Sequence, residues 1–532
     1  MRIFDSTLRI ISWPKWRSYA LASVAGIAQA LAFAPLEIWW LQLLAQAGLF
    51  TLIDRADSGR HAAWIGGTFG FTSFISGIWW LYISMHTYGG LFAPIAAVAV
   101  VLCSLYLSLY IACAAWITRV LCATYLWSTC VFAGAWTIFE WLRGVVFTGF
   151  PWLSSGYAHI DGPLAGFAPV LGVYGVGGIA ALTSALLGKA LLPINASVKT
   201  PYFRIKIIVG ICVILIIGIG LRAHAYTIPI GQPLTVRLLQ GNISQGMKFE
   251  REGVDIAMTL YRDMIIAEPA DLIITPETAF TVLQQHIPSE IMTQLHQFAD
   301  TTGSHLLIGT VGATFTPEGR VSNLTNSLFG ISPKDSTLYR YDKQHLVPFG
   351  EFIPWGFRWF VDQMSIPLGN FLSGSMMSTG FAVSGQRAAL DICYEDLFGE
   401  EIAKTLRNMR EPATFLVNST NLGWFGNTIA IDQHLQISRM RTLETGRPIL
   451  RAANTGITAI VDSQGHVIAH LPRFTTGVLT GCFQPTIGLT PYLRFGNLPL
   501  LILSILAMFS DKFAVRFVNN PAMGVNSATI SD

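Results

Sequence analysis

Charge is what this chain has least of. Among its 532 residues only 12% are Asp, Glu, Lys or Arg, against about a quarter in soluble domains, which argues against a body wholly exposed to water. The charge that is present sums to +3 with no run of Lys or Arg, so the electrostatic footprint of a nucleic-acid binder is missing. Cysteine is sparse outside apolar sequence: of seven, Cys103, Cys113, Cys122, Cys130 and Cys212 lie within apolar runs and only Cys393 and Cys482 elsewhere. That is neither a disulfide framework nor a CxxC metal pattern. His305, His345 and His434 share no ligand spacing, so no metal is expected, and no cofactor. No internal repeat or low-complexity segment interrupts the chain.

What is there is 52% hydrophobic and unevenly spread: long apolar runs over 18–222, the mixture of a soluble α/β domain over 223–495, and one more apolar run over 499–516. A helix crosses the hydrocarbon core with about 20 apolar residues. That ruler places spans at 18–35, 37–53, 62–84, 92–117, 121–142, 164–190, 205–222 and 499–516, the second and last being short. The expected fold is a multi-span α-helical membrane domain of about eight transmembrane helices joined to an extramembrane α/β domain. Its divisions are 1–222 with seven spans, the domain 223–495, a C-terminal span within 496–518 and a disordered tail 519–532.

Arg2, Arg9, Lys15 and Arg17 precede the first run. It reads as a retained span, because the next run follows at once and no small-x-small cleavage site ends it. One set of loops holds these residues with Arg55, Arg60, Arg119, Lys189, Lys199, Arg204, Lys206, Lys512 and Arg516, whereas the alternate loops offer only Arg143. Basic loops stay in the cytoplasm, so the domain 223–495 faces outward and the tail returns inside. Glu140 and Arg143, three apart, read equally as a functional intramembrane pair or as a clamp on the loop ThrGlyPheProTrp at 148–152.

In the outer domain, β-rich runs at 235–240, 271–275, 305–309, 326–331, 414–418, 448–452 and 457–461 alternate with helical patterns at 250–268, 288–302, 399–408 and 428–446. Such alternation argues for sheet covered by helices. Three polar positions stand at the ends or in the loops of this framework. Cys393 ends the apolar run of ArgAlaAlaLeuAspIleCysTyrGluAspLeuPhe (387–398). A lone buried thiol is ordinarily a small hydrophobe, but a thiolate nucleophile needs a base or a cation nearby. Glu277 in ThrProGluThrAlaPhe (275–280) and Lys343 in TyrAspLysGlnHisLeuValProPheGlyGluPhe (341–352) offer both, though each alone reads equally as a solvated surface residue.

Together these three motifs resemble the Glu-Lys-Cys triad of the nitrilase superfamily. With several spans before the domain and one after, the chain resembles that superfamily's membrane-embedded branch, the bacterial apolipoprotein N-acyltransferases. The resemblance extends to GlnGlyAsnIleSerGln (240–245), PheThrGlyPheProTrp (147–152), AsnLeuGlyTrpPheGly (421–426) and GluThrGlyArgPro (444–448). One departure is Phe249, where family members commonly carry Trp.

The resemblance implies an αββα sandwich for the α/β domain. It also implies Glu277 as general base, Lys343 with the Tyr394 backbone N–H at the oxyanion, and Cys393 as a nucleophile carrying a thioester. Glu351 resembles a second carboxylate orienting the lysine. Glu395 supports the site or caps the next helix, and Phe249 and Trp424 are further expected substrate contacts. The implied partners are a phospholipid acyl donor, typically phosphatidylethanolamine through its sn-1 chain, and a diacylated apolipoprotein acceptor. The implied setting is a monomer in the bacterial inner membrane with its catalytic domain in the periplasm. Residues 355–364, aromatic and close to the lysine loop, are expected to lie on the bilayer or else be buried. A membrane-tethered amidase or hydrolase shares the first half-reaction, and a non-catalytic scaffold or transporter is the reading of another class.

Overall fold

The computed structural model describes residues 14–121, 127–191, 202–248, 250–361, 371–375 and 379–519. Residues 520–532 of the expected disordered tail and Phe249 lie outside the described residues, whereas Asn519 ends the last helix. Helices occur at Lys15–Leu31, Trp39–Asp54, Gly59–Gly77, Ala93–Leu121, Trp127–Val145, Ala168–Leu191 and Tyr202–Ala223, and again after the α/β domain at Leu498–Asn519. Among the described residues, four helical segments are long and apolar enough to cross a membrane: Ala93–Leu121, Trp127–Thr148, Pro163–Leu191 and Tyr202–Ala223. This is fewer than the eight expected. The first two helices have only 17 and 16 residues, and the apolar part of the last is Leu498–Phe509. The span expected at 62–84 ends at Gly77, where the carbonyl accepts Trp80 Nε1–H at 3.0 Å and the chain turns.

Helices associate closely in an apolar setting where small residues let backbones approach. Gly66 is such a point: a Cβ there would stand 2.6 Å from the Ala115 Cβ. The Glu140–Arg143 pair takes the clamp role. Arg143 Nη1 donates to the carbonyls of Phe150 and Trp152 at 2.5 and 2.7 Å, and Nη2 to Ser154 Oγ at 3.1 Å. Glu140 Oε1 accepts from Ser155 N and Oγ at 2.7 and 2.8 Å. Removing one partner of a buried charged network leaves the other uncompensated, at a cost of about 3–5 kcal/mol. Arg143→Met is therefore expected to lower thermal stability in detergent by an amount of that order, and Arg143→Lys to restore only part, since its single nitrogen cannot stand at both positions from which Nη1 and Nη2 donate.

Residues 227–488 build two large sheets and a two-stranded one that pairs Thr227–Pro229 with Thr486–Gly488. In one large sheet, the order is Gly477–Phe483, Leu234–Gln240, Leu272–Ile274, His305–Phe315, Val321–Ile331 and Tyr339–Asp342, with Phe280–Leu283 beside His305–Phe315. In the other it is Val467–His470, Ala459–Val461, Ile449–Ala453, Phe415–Thr420, Gln386–Ile392 and Phe381–Val383. The central pairs are parallel and the outer ones antiparallel. Val236, Leu238, Ile274, Leu307 and Leu328 meet Leu390, Ile392, Val417, Leu450 and Ile460 between the sheets. Helices Arg251–Ile266 and Ser289–Thr302 cover one outer face, and Gly399–Asn408 packs on the other, giving the αββα layering. Gly477–Phe483 and Tyr339–Asp342 are strands that the sequence reading passed over.

Helix Ala430–Thr445 is polar in composition yet almost wholly buried, because it lies between the sheet and the membrane helices. Gln433 Oε1 accepts from Trp152 and Trp80 Nε1 at 2.8 and 3.2 Å, and its Nε2 donates to the Gly77 carbonyl at 3.2 Å. Gln436 Oε1 takes the Ala34 N–H and Glu444 Oε1 the Val173 N–H, at 3.2 and 2.7 Å. Buried polar groups tolerate such a position when they find partners, and those of Gln433, Gln436 and Glu444 Oε1 come from the membrane domain.

Candidate active site

Strand Gln386–Ile392 ends in a tight turn, Cys393–Leu397, that carries Cys393 at φ 56°. A side chain rarely occupies that left-handed region, and such strain clusters where a group must be aimed. Glu395 closes the turn, its Oε2 accepting the Ile392 N–H at 2.6 Å. The same carboxylate accepts from Tyr341 Oη at 3.0 Å and from the Gln344 and His345 N–H groups at 2.6 and 3.2 Å. It thus ties the cysteine turn to the lysine loop, while the helix Gly399–Asn408 has no side-chain cap. Of the two readings of Glu395, support is the one that its contacts match.

Glu277 follows strand Leu272–Ile274, and Ser419 Oγ donates to the Thr275 carbonyl at 2.9 Å, pinning the strand ends of the two sheets together. Lys343 follows strand Tyr339–Asp342 and is 0% exposed. Its Nζ stands 3.3 Å from Glu277 Oε1 and 3.0 Å from both oxygens of Glu351. Asn326 Nδ2 donates to Glu277 Oε1 and Glu351 Oε1, each at 2.7 Å, and Glu351 Oε2 takes the Val347 N–H at 2.8 Å. Glu277 Oε2 accepts the Asn421 N–H at 2.9 Å. A buried lysine is thereby held between two carboxylates with their remaining lone pairs engaged.

Electrostatics follow from burial and these neighbours. Burial, and then the Glu277 charge, pushes the Cys393 thiol up to about 12, against opposing help from Lys343, the Thr420 hydroxyl and the Asn421 N–H. The resting group is a thiol. Burial pulls Lys343 down, but Glu351 and Glu277 outweigh it and the net shift is upward, so it stays an ammonium. Burial raises Glu395 to about 7 despite the N–H groups it accepts.

Tyr394 points across the seam, its Oη donating to the Gly149 carbonyl at 3.2 Å in the loop held by Arg143. Trp424 packs edge-on against Tyr88, with ring centroids 6.3 Å apart. Trp355 and Trp359 are 98% and 64% exposed. Two residues at the centre escaped the sequence reading: Asn326, and Lys248, whose Nζ donates to the Glu277 carbonyl at 2.9 Å. Their only signal was a polar residue inside otherwise conventional strand and loop patterns.

A thiol that feels the charges of a carboxylate and an ammonium, at the strand ends of an αββα sandwich, is the arrangement expected of the carbon–nitrogen hydrolase class. Consistent with that, residues 235–492 match the family model described as Carbon-nitrogen hydrolase. Residues 25–186 match a second model, the Apolipoprotein N-acyltransferase N-terminal domain. The chain is 50% identical to the apolipoprotein N-acyltransferase of Ralstonia nicotianae over 92% of each chain. It is 41% identical to that of Bordetella bronchiseptica over 92% of this chain and 95% of the relative, and 40% identical to that of Nitrosomonas europaea over 90% and 93%. The chain belongs to the apolipoprotein N-acyltransferase family.

Proposed function

We propose that this chain moves a fatty acyl group from the sn-1 position of a phospholipid, typically phosphatidylethanolamine, to the N-terminal α-amine of a diacylglyceryl-cysteine lipoprotein. The observation that carries this reading is the place of the nucleophile turn. Tyr394, next to Cys393, bonds to Gly149 of the membrane domain, so an ester drawn from the bilayer and an amine anchored in it converge there. Exposed Trp355 and Trp359, in the stretch that follows Lys343, suit contact with lipid.

Glu277 takes the proton of Cys393 as sulfur attacks the ester carbonyl. Lys343 and the Tyr394 N–H stabilise the oxyanion, and Glu351 and Asn326 hold the lysine and the base. Collapse breaks the ester C–O bond, and Glu277 returns its proton to the departing lysophospholipid hydroxyl. The lipoprotein amine then attacks the thioester, Glu277 again accepts a proton, and the thiol is released. The eight helices act as eight spans, the short ones completing the bundle, with the catalytic domain in the periplasm, the basic loops in the cytoplasm and the chain working as a monomer in the inner membrane.

The test is mass spectrometry of the purified protein in detergent with sn-1-labelled phosphatidylethanolamine. The expected result is a single acyl adduct, labile to hydroxylamine, that discharges onto a diacylglyceryl-cysteine peptide. Discharge onto water in the presence of that peptide would make the chain a hydrolase.

A further inference from the structure

The groups bonded to one another beside the nucleophile do not balance in charge. Glu277 and Glu351 bring two negative charges and Lys343 one positive, with Lys343 fully buried. Proton transfer from Cys393 to Glu277 keeps that excess and places it on sulfur, and attack passes it to the carbonyl oxygen. An uncompensated charge in such a site is strongly destabilising. A second cation is present. Lys248 is 3% exposed and its Nζ donates to the Glu277 carbonyl at 2.9 Å. Its loop also reaches the base by another route. Gln245 Oε1 accepts from Asn421 Nδ2 at 2.9 Å, and the Asn421 N–H is the one bonded to Glu277 Oε2.

We propose that Lys248 is a positioning residue for acyl transfer, whose buried ammonium fixes Glu277 through its backbone and supplies the positive charge that offsets the thiolate and the oxyanion. Burial lowers it to about 8, with Glu277 and then Cys393 opposing, which leaves it mostly protonated at neutral pH. The inference rests on Cys393 being the nucleophile.

The experiment therefore reads the thiol without any lipid substrate. The rate of Cys393 alkylation by iodoacetamide is followed at pH 7 by peptide mass in the full-length protein in detergent. Sulfur displaces iodide, the S–C bond forms and the thiol proton leaves through Glu277. Lys248→Gln keeps an N–H donor and removes the charge. It is expected to slow alkylation by at least about tenfold, the effect of one pKa unit from a nearby charge. Lys248→Arg keeps the charge and is expected to react within about threefold of wild type. A merely structural staple would give the opposite order, with Gln tolerated and the bulkier Arg not. Lys248→Gln reacting at the wild-type rate overturns the proposal, even if Lys248→Met fails to fold. No Cys393 adduct at all in the wild type, under conditions that alkylate exposed Cys482 completely, removes the nucleophile itself and would sink both readings, a result distinct from the first.

Discussion

Cys393→Ala is expected to leave no acyl adduct and to lower N-acylation by at least about 10⁴-fold, the order seen when a covalent enzyme loses its nucleophile. The change is small in space. Alanine accepts the turn as cysteine does, since φ 56° is imposed by the closure of Glu395 on Ile392 and not by the thiol. The Glu277, Lys343 and Glu351 bonds do not pass through sulfur. Stability should therefore drop by no more than about 1–2 kcal/mol for the lost buried atom, and loss of activity would reflect chemistry. Cys393→Ser sharpens the point, because its hydroxyl has a far higher pKa than the thiol and the same carboxylate is a poor base for it. Wild-type N-acylation by Cys393→Ala would remove the Cys393 thioester from the mechanism.

How much of this was legible beforehand depends on the kind of signal. The strands at 235–240 and 448–452 and the helix at 399–408 declare themselves by apolar period, because their burial is one-sided or complete. Glu277, Lys343 and Cys393 were legible as motifs whose neighbours limited the alternatives. The helix at 428–446 was legible as a helix, but not as the seam, since Gln433, Gln436 and Glu444 look like a solvated face until Trp80, Trp152, Ala34 and Val173 arrive as partners. Asn326 and Lys248 were invisible for the same reason: their roles are set by residues 49 and 29 positions away in the chain. In the membrane part, composition located the helices but overstated how many are long enough to cross by themselves.

Lys343→Met should be nearly as damaging as loss of the thiol, and for two coupled reasons. It removes the oxyanion donor, an effect of about 10²–10³ in rate. It also leaves Glu277 and Glu351 sharing one Asn326 amide, and two adjacent buried carboxylates cannot both stay ionised, so one pKa rises strongly. If the proton settles on Glu277, the base is gone as well, another about 10²–10⁴, though the two losses will not multiply in full because they act through one unit. The signs separate them. Raising pH re-ionises Glu277, so thioester formation in Lys343→Met should climb toward alkaline pH and level off below wild type by the oxyanion share. Adding Glu351→Gln removes the competing carboxylate and should restore the base at neutral pH without restoring the donor, giving a double variant faster than the single one. Single-turnover acylation measured between pH 6 and 9 decides it, and a double variant slower than Lys343→Met would mean that Glu351 serves the reaction in some way other than by holding the lysine.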